Sequence, residues 1–571
     1  MGDVLQYLID GTSGIVTGGV DGKALVAGVC SKGIVGKAYL IGKRTDLAAM
    51  LGTGPLVDRV RDMLTTGGQA PYVVAVPVQG QPGGYISGLS VNGGKAGATL
   101  SGYPALNADV VVRVVTAGTI GTATLEISTD GGKTFAEPVP SATQNPISSG
   151  EEPTGATLIF PDDASLDEGA TYTFAVRCPV GPVVRVGDES SPLPEVSELD
   201  SGVLDGAELV VRIVKSGARN EGTFQLSVDG GDTFAAIRTI PVDGLHELAD
   251  YGVKLTFPEG EFVAGTTYTC RLLPPAPSIV DVLDALESPL ALYDVEFVHI
   301  VGPSDSVDWM AAQAKADELW NQQRPTYFKL EARLPFDGED LNAYVAALLA
   351  ERQGVAGRFV TVCCQYGEIV DTAGASRLRN AGGLQSGRVM AIPVQRATGR
   401  VKDGPISQLT LPDGWEAVQP TLESNGFQTA KKYAGLEGAY WGDSRTLAED
   451  TSDFRYEEVL RTVFKAVRLT RIAALKSMYD EAGDPLRPDS ESGLAYLKAN
   501  LENALDAMTT AGELASYVVE IPSGQDIVNN GVAVEITLVG IPIIREIKLY
   551  NRYTYAGSNF DPRIERYSVA A

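Results

Sequence analysis

Histidine is nearly missing from this chain: His246 and His299 are the only two among 571 residues. They lie far apart in the sequence, which leaves little material for a histidine metal site or a Ser-His-Asp triad, so each is expected to serve packing or surface. Cysteine is scarce too. Cys30, Cys178, Cys270, Cys363 and Cys364 form an odd set with neither a CxxC pair nor zinc-site spacing, which fits a reducing cytoplasmic origin. Positive charge is in deficit, with 46 Lys and Arg against 72 Asp and Glu and a net charge of -26. Nucleic-acid binding rests on neutralising phosphates with Lys and Arg, so the balance argues against that partner. Such acidity suits solubility, or a surface that meets a complementary partner in register.

No run of about 18 apolar residues occurs, so no membrane anchor is expected. Residues 1–14 have no basic flank, and Asp3 and Asp10 bracket their short apolar run, so no signal peptide is expected either. Phosphate loops are also missing. Gly22-Lys23, Gly36-Lys37 and Gly94-Lys95 are followed by Ala and Gly42-Lys43 by Arg, where a magnesium-binding Ser or Thr would stand. Gly132-Lys133-Thr134 has Ile127 in place of the first glycine, and the turn at 302–306 lacks GxGxxG. Carboxylates are so common that pairs such as Glu151-Glu152 and Asp162-Asp163 read as solvated turns. Catalytic residues, cofactors and metals are therefore not expected.

What the chain does have is length and a repeat. Its 44% hydrophobic and 21% charged residues are ordinary for globular proteins, and the length suits several compact units. Residues 24–30, 37–41 and 72–78 read as strands, and 55–64 as a helix with Leu56, Val60 and Leu64 on one stripe, which opens an α/β unit. In the middle, Val111-Val112-Arg113-Val114-Val115 recurs as Val210-Val211-Arg212-Ile213-Val214. Ser128-Thr129-Asp130-Gly131-Gly132-Lys133-Thr134-Phe135 likewise recurs from Ser227 to Phe234. Alternating β-branched residues between Gly-rich turns make each copy a small β-sandwich. The Ser-x-Asp-Gly-Gly-x-Thr-Phe element resembles the Asp-box hairpin of sialidases. A propeller needs several copies at blade spacing, whereas two copies about 99 residues apart read as structural turns.

The α/β pattern resumes after Pro274-Pro275, with strands at 294–301, 326–334 and 358–364 and helices at 306–322 and from Asp340 onward. The expected organisation is α/β plus α+β. A discontinuous α/β domain (23–95 and 279–400) is interrupted by two tandem β-sandwich domains (96–190 and 191–278). An α+β domain comes next over 401–547, with strand text running through 531–555. Arms of strand character flank the whole: residues 1–22, with Val4, Leu5, Leu8 and Ile9, and residues 548–571, with Leu549, Tyr550, Tyr553 and Tyr555. One helix, over 454–478, gathers Arg461, Lys465, Arg468, Arg471 and Lys476 beside its apolar stripe, without an acidic residue between Val459 and Tyr479. Either it exposes them to water or it meets an acidic neighbour.

Trp441-Gly442-Asp443-Ser444-Arg445-Thr446-Leu447, then Asp453-Phe454-Arg455-Tyr456 and Val459-Leu460-Arg461-Thr462, resembles a segment of contractile tail sheath proteins. In that family a Trp-Gly-x-x-Arg-Thr-Leu turn precedes an Asp-aromatic-x-Tyr helix start and an Arg-bearing helix. Val532–Leu538 and Pro542–Leu549 are similar to the family's closing strands, and residues 36–42 and 55–59 resemble a divergent phage sheath group.

The resemblance implies a virion tail or contractile particle assembled in the bacterial host cytoplasm. Its subunit polymerises helically around the tail tube protein between baseplate and tail terminator, joins neighbours through its arms by β-augmentation, and contracts to drive the tube into the target envelope. It also implies that 401–547 lines the tube and that the β-domains decorate the outside. The basic helix would then face the acidic tube or a neighbouring subunit. Two alternatives are a nucleotide-dependent α/β enzyme and a β-domain adhesin or carbohydrate-binding protein; the first wants a phosphate loop and the second an export signal.

Overall fold

A computed structural model describes residues 19–69, 71–371, 374–483, 493–556, 558 and 561. Val4, Leu5, Leu8 and Ile9 of the first arm lie outside the described residues. The largest element is a seven-stranded sheet in the order Tyr39–Gly42, Tyr72–Pro77, Ala24–Gly28, Phe297–Ser304, Tyr327–Ala332, Val360–Cys363, Phe427–Gln428. Tyr39–Gly42 runs antiparallel to its neighbour and the other strands are parallel. Helices such as Pro55–Thr66, Ile279–Leu292 and Ser306–Asn321 cover it, which is why Ala24–Gly28 and Tyr327–Ala332 are buried along their whole length. Local signals set the helix starts: Asp305 and Asp308 form a capping box, and Asp340 accepts from two amides of Leu341–Arg352.

Two β units leave and re-enter the α/β body at one place, where Gln81 and Ala276 pair and the Gln81 amide donates to the Ala276 carbonyl at 2.9 Å. Each unit sets a large sheet against a three-stranded one. In the first, Ala108–Thr116 lies between Thr124–Ser128 and Thr171–Arg177; in the second, Ala207–Lys215 lies between Thr223–Ser227 and Thr267–Leu272. Their cores are separate, around Val112, Leu158 and Tyr172 and around Val211, Leu255 and Tyr268.

The boundaries differ from the sequence reading. Tyr85–Ile86 and Ser90–Asn92, ahead of residue 96, pair with Thr171–Arg177, and Val184–Val186, ahead of residue 191, pairs with Thr267–Leu272. Short edge strands carry too little periodicity to be assigned from pattern.

The repeated turns hold themselves. Ser128 Oγ donates to Asp130 at 2.7 Å, and the Lys133 and Thr134 amides donate to the same carboxylate at 2.9 Å. Ser227, Asp229 and Thr233 repeat this, at 2.5 Å and 2.9 Å. Gly131 and Gly132 supply the positive φ that the turn requires.

Since the insertion enters and leaves at the Gln81–Ala276 pair, replacing residues 82–275 with a short flexible linker should leave a folded α/β body. Circular dichroism and one cooperative melting transition check this; an unfolded product would mean a shared core. The Arg377–Asp205 contact across the junction, at 2.9 Å, sets the expected cost at a few kcal/mol, while Arg377 keeps its pair with Asp58 at 2.7 Å within the body.

The α/β body does not end near residue 400. Trp415, Phe427, Trp441, Leu447, Leu460 and Phe464 belong to the same core as the sheet. The C-terminal unit is smaller: helix Gly493–Thr510 and the hairpin of Ser516–Glu520 with Glu535–Val539 pack on the end of helix Glu457–Leu475 through Leu501, Leu505, Leu514 and Val519. The strand expected through residue 555 stops at Val539, because beyond it the chain finds no pairing partner among the described residues.

Candidate functional site

The Trp441 segment is threaded through the α/β body. Tyr440–Trp441 pairs with Ala430–Lys431, and Trp441 is buried. The Gly442 amide donates to the Thr429 carbonyl at 2.7 Å, and a Cβ there would sit 3.1 Å from that same oxygen, which explains a glycine. Thr446 donates from its amide to the Arg455 carbonyl and from Oγ1 to the Phe454 carbonyl, while Leu447 bonds the edge of the sheet at Val360 and Gly357. Arg445 bridges to Tyr456, and Asp453 is exposed.

Beneath this segment lies a set of buried charges on the sheet. Glu457 accepts from Tyr327 at 2.9 Å, Lys329 at 2.5 Å, Gln385 and Gln428 at 3.2 Å, and also from Ser444. Burial alone would raise its carboxyl; the Lys329 ammonium and these hydrogen bonds outweigh that and hold it below the usual range. Glu296 pairs with Arg461 at 2.5 Å, both about 1% exposed at the side chain. Glu331 pairs with Arg59 at 2.6 Å, which outweighs its burial and brings its carboxyl down to about 2.

His299 lies beside Glu331, its Nε2 at 3.1 Å from that carboxylate and its Nδ1 at 2.8 Å from Ser386 Oγ. Burial keeps the imidazole pKa below its ordinary value. An ionised Glu331 can only accept, so Nε2 carries the proton and Nδ1 accepts from Ser386. This Ser-His-Glu arrangement is closed to solvent, with Ser386, His299 and Glu331 at 0%, 1% and 1% exposure, so it works as internal cross-bracing.

The basic helix corrects the sequence expectation. Arg461 is buried on Glu296 and also donates to the Val389 carbonyl at 3.1 Å; Arg468 is buried on the carbonyls of Val295 and Pro325. Lys465 pairs with Glu513 at 2.7 Å and Asp21 at 2.5 Å. All three are engaged within the chain: Arg461 and Arg468 face the interior, where the sheet offers Glu296 and strand-end carbonyls that need donors, and half-buried Lys465 is held by two carboxylates off the sheet. Arg471 and Lys476 are exposed.

The second arm begins at the same segment. Arg545 pairs with Asp443 at 2.7 Å and with Glu458, and its guanidinium lies 3.6 Å from the Tyr456 ring centroid. Past this clasp the large apolar side chains are bare: Ile547, Leu549, Tyr550, Tyr553 and Tyr555 are all 73% exposed or more.

Residues 1–445 match the family domain described as "DUF2586, N-terminal domain" and residues 453–558 the one described as "DUF2586, C-terminal domain". The chain belongs to the DUF2586 family. Among solved structures, this DUF2586 chain is similar to the sheath tail protein of Desulfitobacterium hafniense (11% identity, TM-score 0.41, 95% of this chain and 100% of that one). It is also similar to the sheath tail protein of Listeria innocua (11%, TM-score 0.40, 92% and 96%) and to a chain of the anti-feeding prophage baseplate (18%, TM-score 0.36, 50% and 76%). No curated protein matches the chain.

The clasp of this DUF2586 protein makes a pH prediction. Burial raises the Glu458 carboxyl, Arg545 opposes and Asp443 adds to it, with a net rise from 4.5 to about 7. The folded state therefore holds a proton that the unfolded chain releases above pH 4.5, so Glu458 stabilises below pH 4.5 and loses that contribution as pH rises through 7. At 1.36 kcal/mol per unit, wild type should lose about 3 kcal/mol relative to Glu458→Gln between those pH values. Denaturant unfolding of both proteins at the two ends measures it, and a difference independent of pH would refute the assignment.

Proposed function

We propose that this chain is a structural, non-enzymatic subunit of a contractile tail sheath. It polymerises helically around a tail tube, between baseplate and tail terminator, and contracts to drive the tube through the target envelope. Assembly takes place in the bacterial host cytoplasm, and the product is a virion tail or related contractile particle. The observation that carries this reading is the arm: an apolar segment clasped at Arg545 and then bare, coming after a hairpin whose outer edges have no partner among the described residues. Exposed apolar chain beside open strand edges invites pairing with another copy by β-augmentation.

The Trp441 segment supports it from the residues upward, because Trp441, Gly442, Arg445, Thr446, Leu447, Tyr456 and Arg461 each have a packing or bonding role in tying the arm root to the sheet. Arg471 and Lys476 are the part of the basic helix left to face an acidic tube or neighbour, and the β units would decorate the outside. Negative-stain microscopy of the concentrated full-length protein tests the reading: tubes or rings of uniform diameter are expected, and a protein that stays monomeric at all concentrations rejects it.

A further inference from the structure

Tyr456 is touched by three guanidinium groups, not one. Besides Arg545, Arg455 lies 4.8 Å and Arg445 5.7 Å from its ring centroid. Arg545 has two carboxylates; the other two have none among the described residues. Arg445 and Arg455 line an open cleft of about 440 Å³ together with Arg352, the last residue of helix Leu341–Arg352. Among the described residues all three donate only to backbone carbonyls. Arg352 reaches Asn425 at 3.0 Å, Leu447 at 3.1 Å and also Val355; Arg445 reaches Ser424 at 3.3 Å; Arg455 reaches Asp450 at 3.0 Å.

Arg445 Nε is buried without a hydrogen-bond partner. Glu449 and Asp450 stand exposed on the rim and form no ion pair with the three. Desolvation lowers the Arg352 pKa, opposed by Asp450. Three like charges held together with an idle donor are costly unless a counter-charge arrives, and guanidinium pairs are suited to carboxylates.

We infer that the Arg352–Arg445–Arg455 cleft is a docking site for carboxylate side chains of a second copy of this chain. The choice of occupant rests on the sheath reading. It is supported by charge complementarity, since a chain of net charge -26 presents acidic surface to its copies, and by position, since the cleft adjoins the root of the arm proposed to cross between subunits. The contact supplies orientation and salt-sensitive association rather than core stability.

The test uses the full chain and Arg445→Gln/Arg455→Gln, with Arg455→Gln, which loses one carbonyl bond, as the variant that keeps its fold. Oligoglutamate binding and sedimentation are measured for each. Wild type is expected to bind the peptide in a salt-sensitive way and to self-associate, and the double variant to weaken both by about tenfold or more. Equal peptide binding by wild type and variants, or no binding by any, overturns the cleft. Self-association unchanged in the double variant overturns the second copy as occupant while leaving the sheath reading intact. Peptide binding by a wild type that never self-associates overturns the sheath reading and that occupant together.

Discussion

Arg461→Met should destabilise the monomer by about 3–5 kcal/mol, far more than it affects any surface property. The substitution leaves the Glu296 carboxylate buried without its cation, and the Val389 carbonyl loses one of its donors. Methionine approximates the length of the arginine stem, so the loss comes from the charge and hydrogen bonds more than from a cavity. Removing both partners, with Glu296→Leu and Arg461→Met together, should recover most of the stability, because well-packed apolar residues replace a buried pair at little cost. Arg471→Met, on the exposed side of the same helix, should stay within about 0.5 kcal/mol of wild type. Equilibrium unfolding of the four proteins decides: a single Arg461 variant as stable as wild type would return that residue to the surface role first expected of it.

Truncation at residue 549 should do the opposite, leaving the monomer's unfolding curve unchanged and abolishing assembly. The cut keeps Arg545 and its contacts with Asp443, Glu458 and Tyr456, so the clasp on the body is retained. It removes Leu549, Tyr550, Tyr553 and Tyr555, which are 78%, 84%, 83% and 73% exposed in the single chain. Each would contribute on the order of 1.5–3 kcal/mol if fully buried by a neighbour, a gain that every subunit of a helical polymer repeats. Particle counts by microscopy, alongside sedimentation and melting of the purified subunit, give the answer. Full-length cylinders built from truncated subunits would remove the arm from the assembly mechanism.

Elements with a local signal are legible in the residues alone. The buried strands at 24–28 and 72–77 are continuous apolar runs, Asp305 and Asp340 announce their helices, and in the paired Ser-x-Asp-Gly-Gly turns the Ser and Asp side chains bond groups within four residues.

Which charges lie inside is set by long-range packing. Helical spacing placed Arg461, Lys465 and Arg468 beside an apolar stripe, but whether that flank meets water or protein depends on Glu296, 165 residues away from Arg461, and on Glu513 and Val295. One signal was available: Lys329 and Glu331 stand in a strand that is otherwise apolar, and a central strand tolerates charge only with partners. Sequence spacing could not name them, because Glu457 and Arg59 reach that strand from segments 128 and 272 residues distant. Pairing of buried charges is a long-range condition on the whole fold, whereas periodicity and capping are short-range conditions on a few turns of chain.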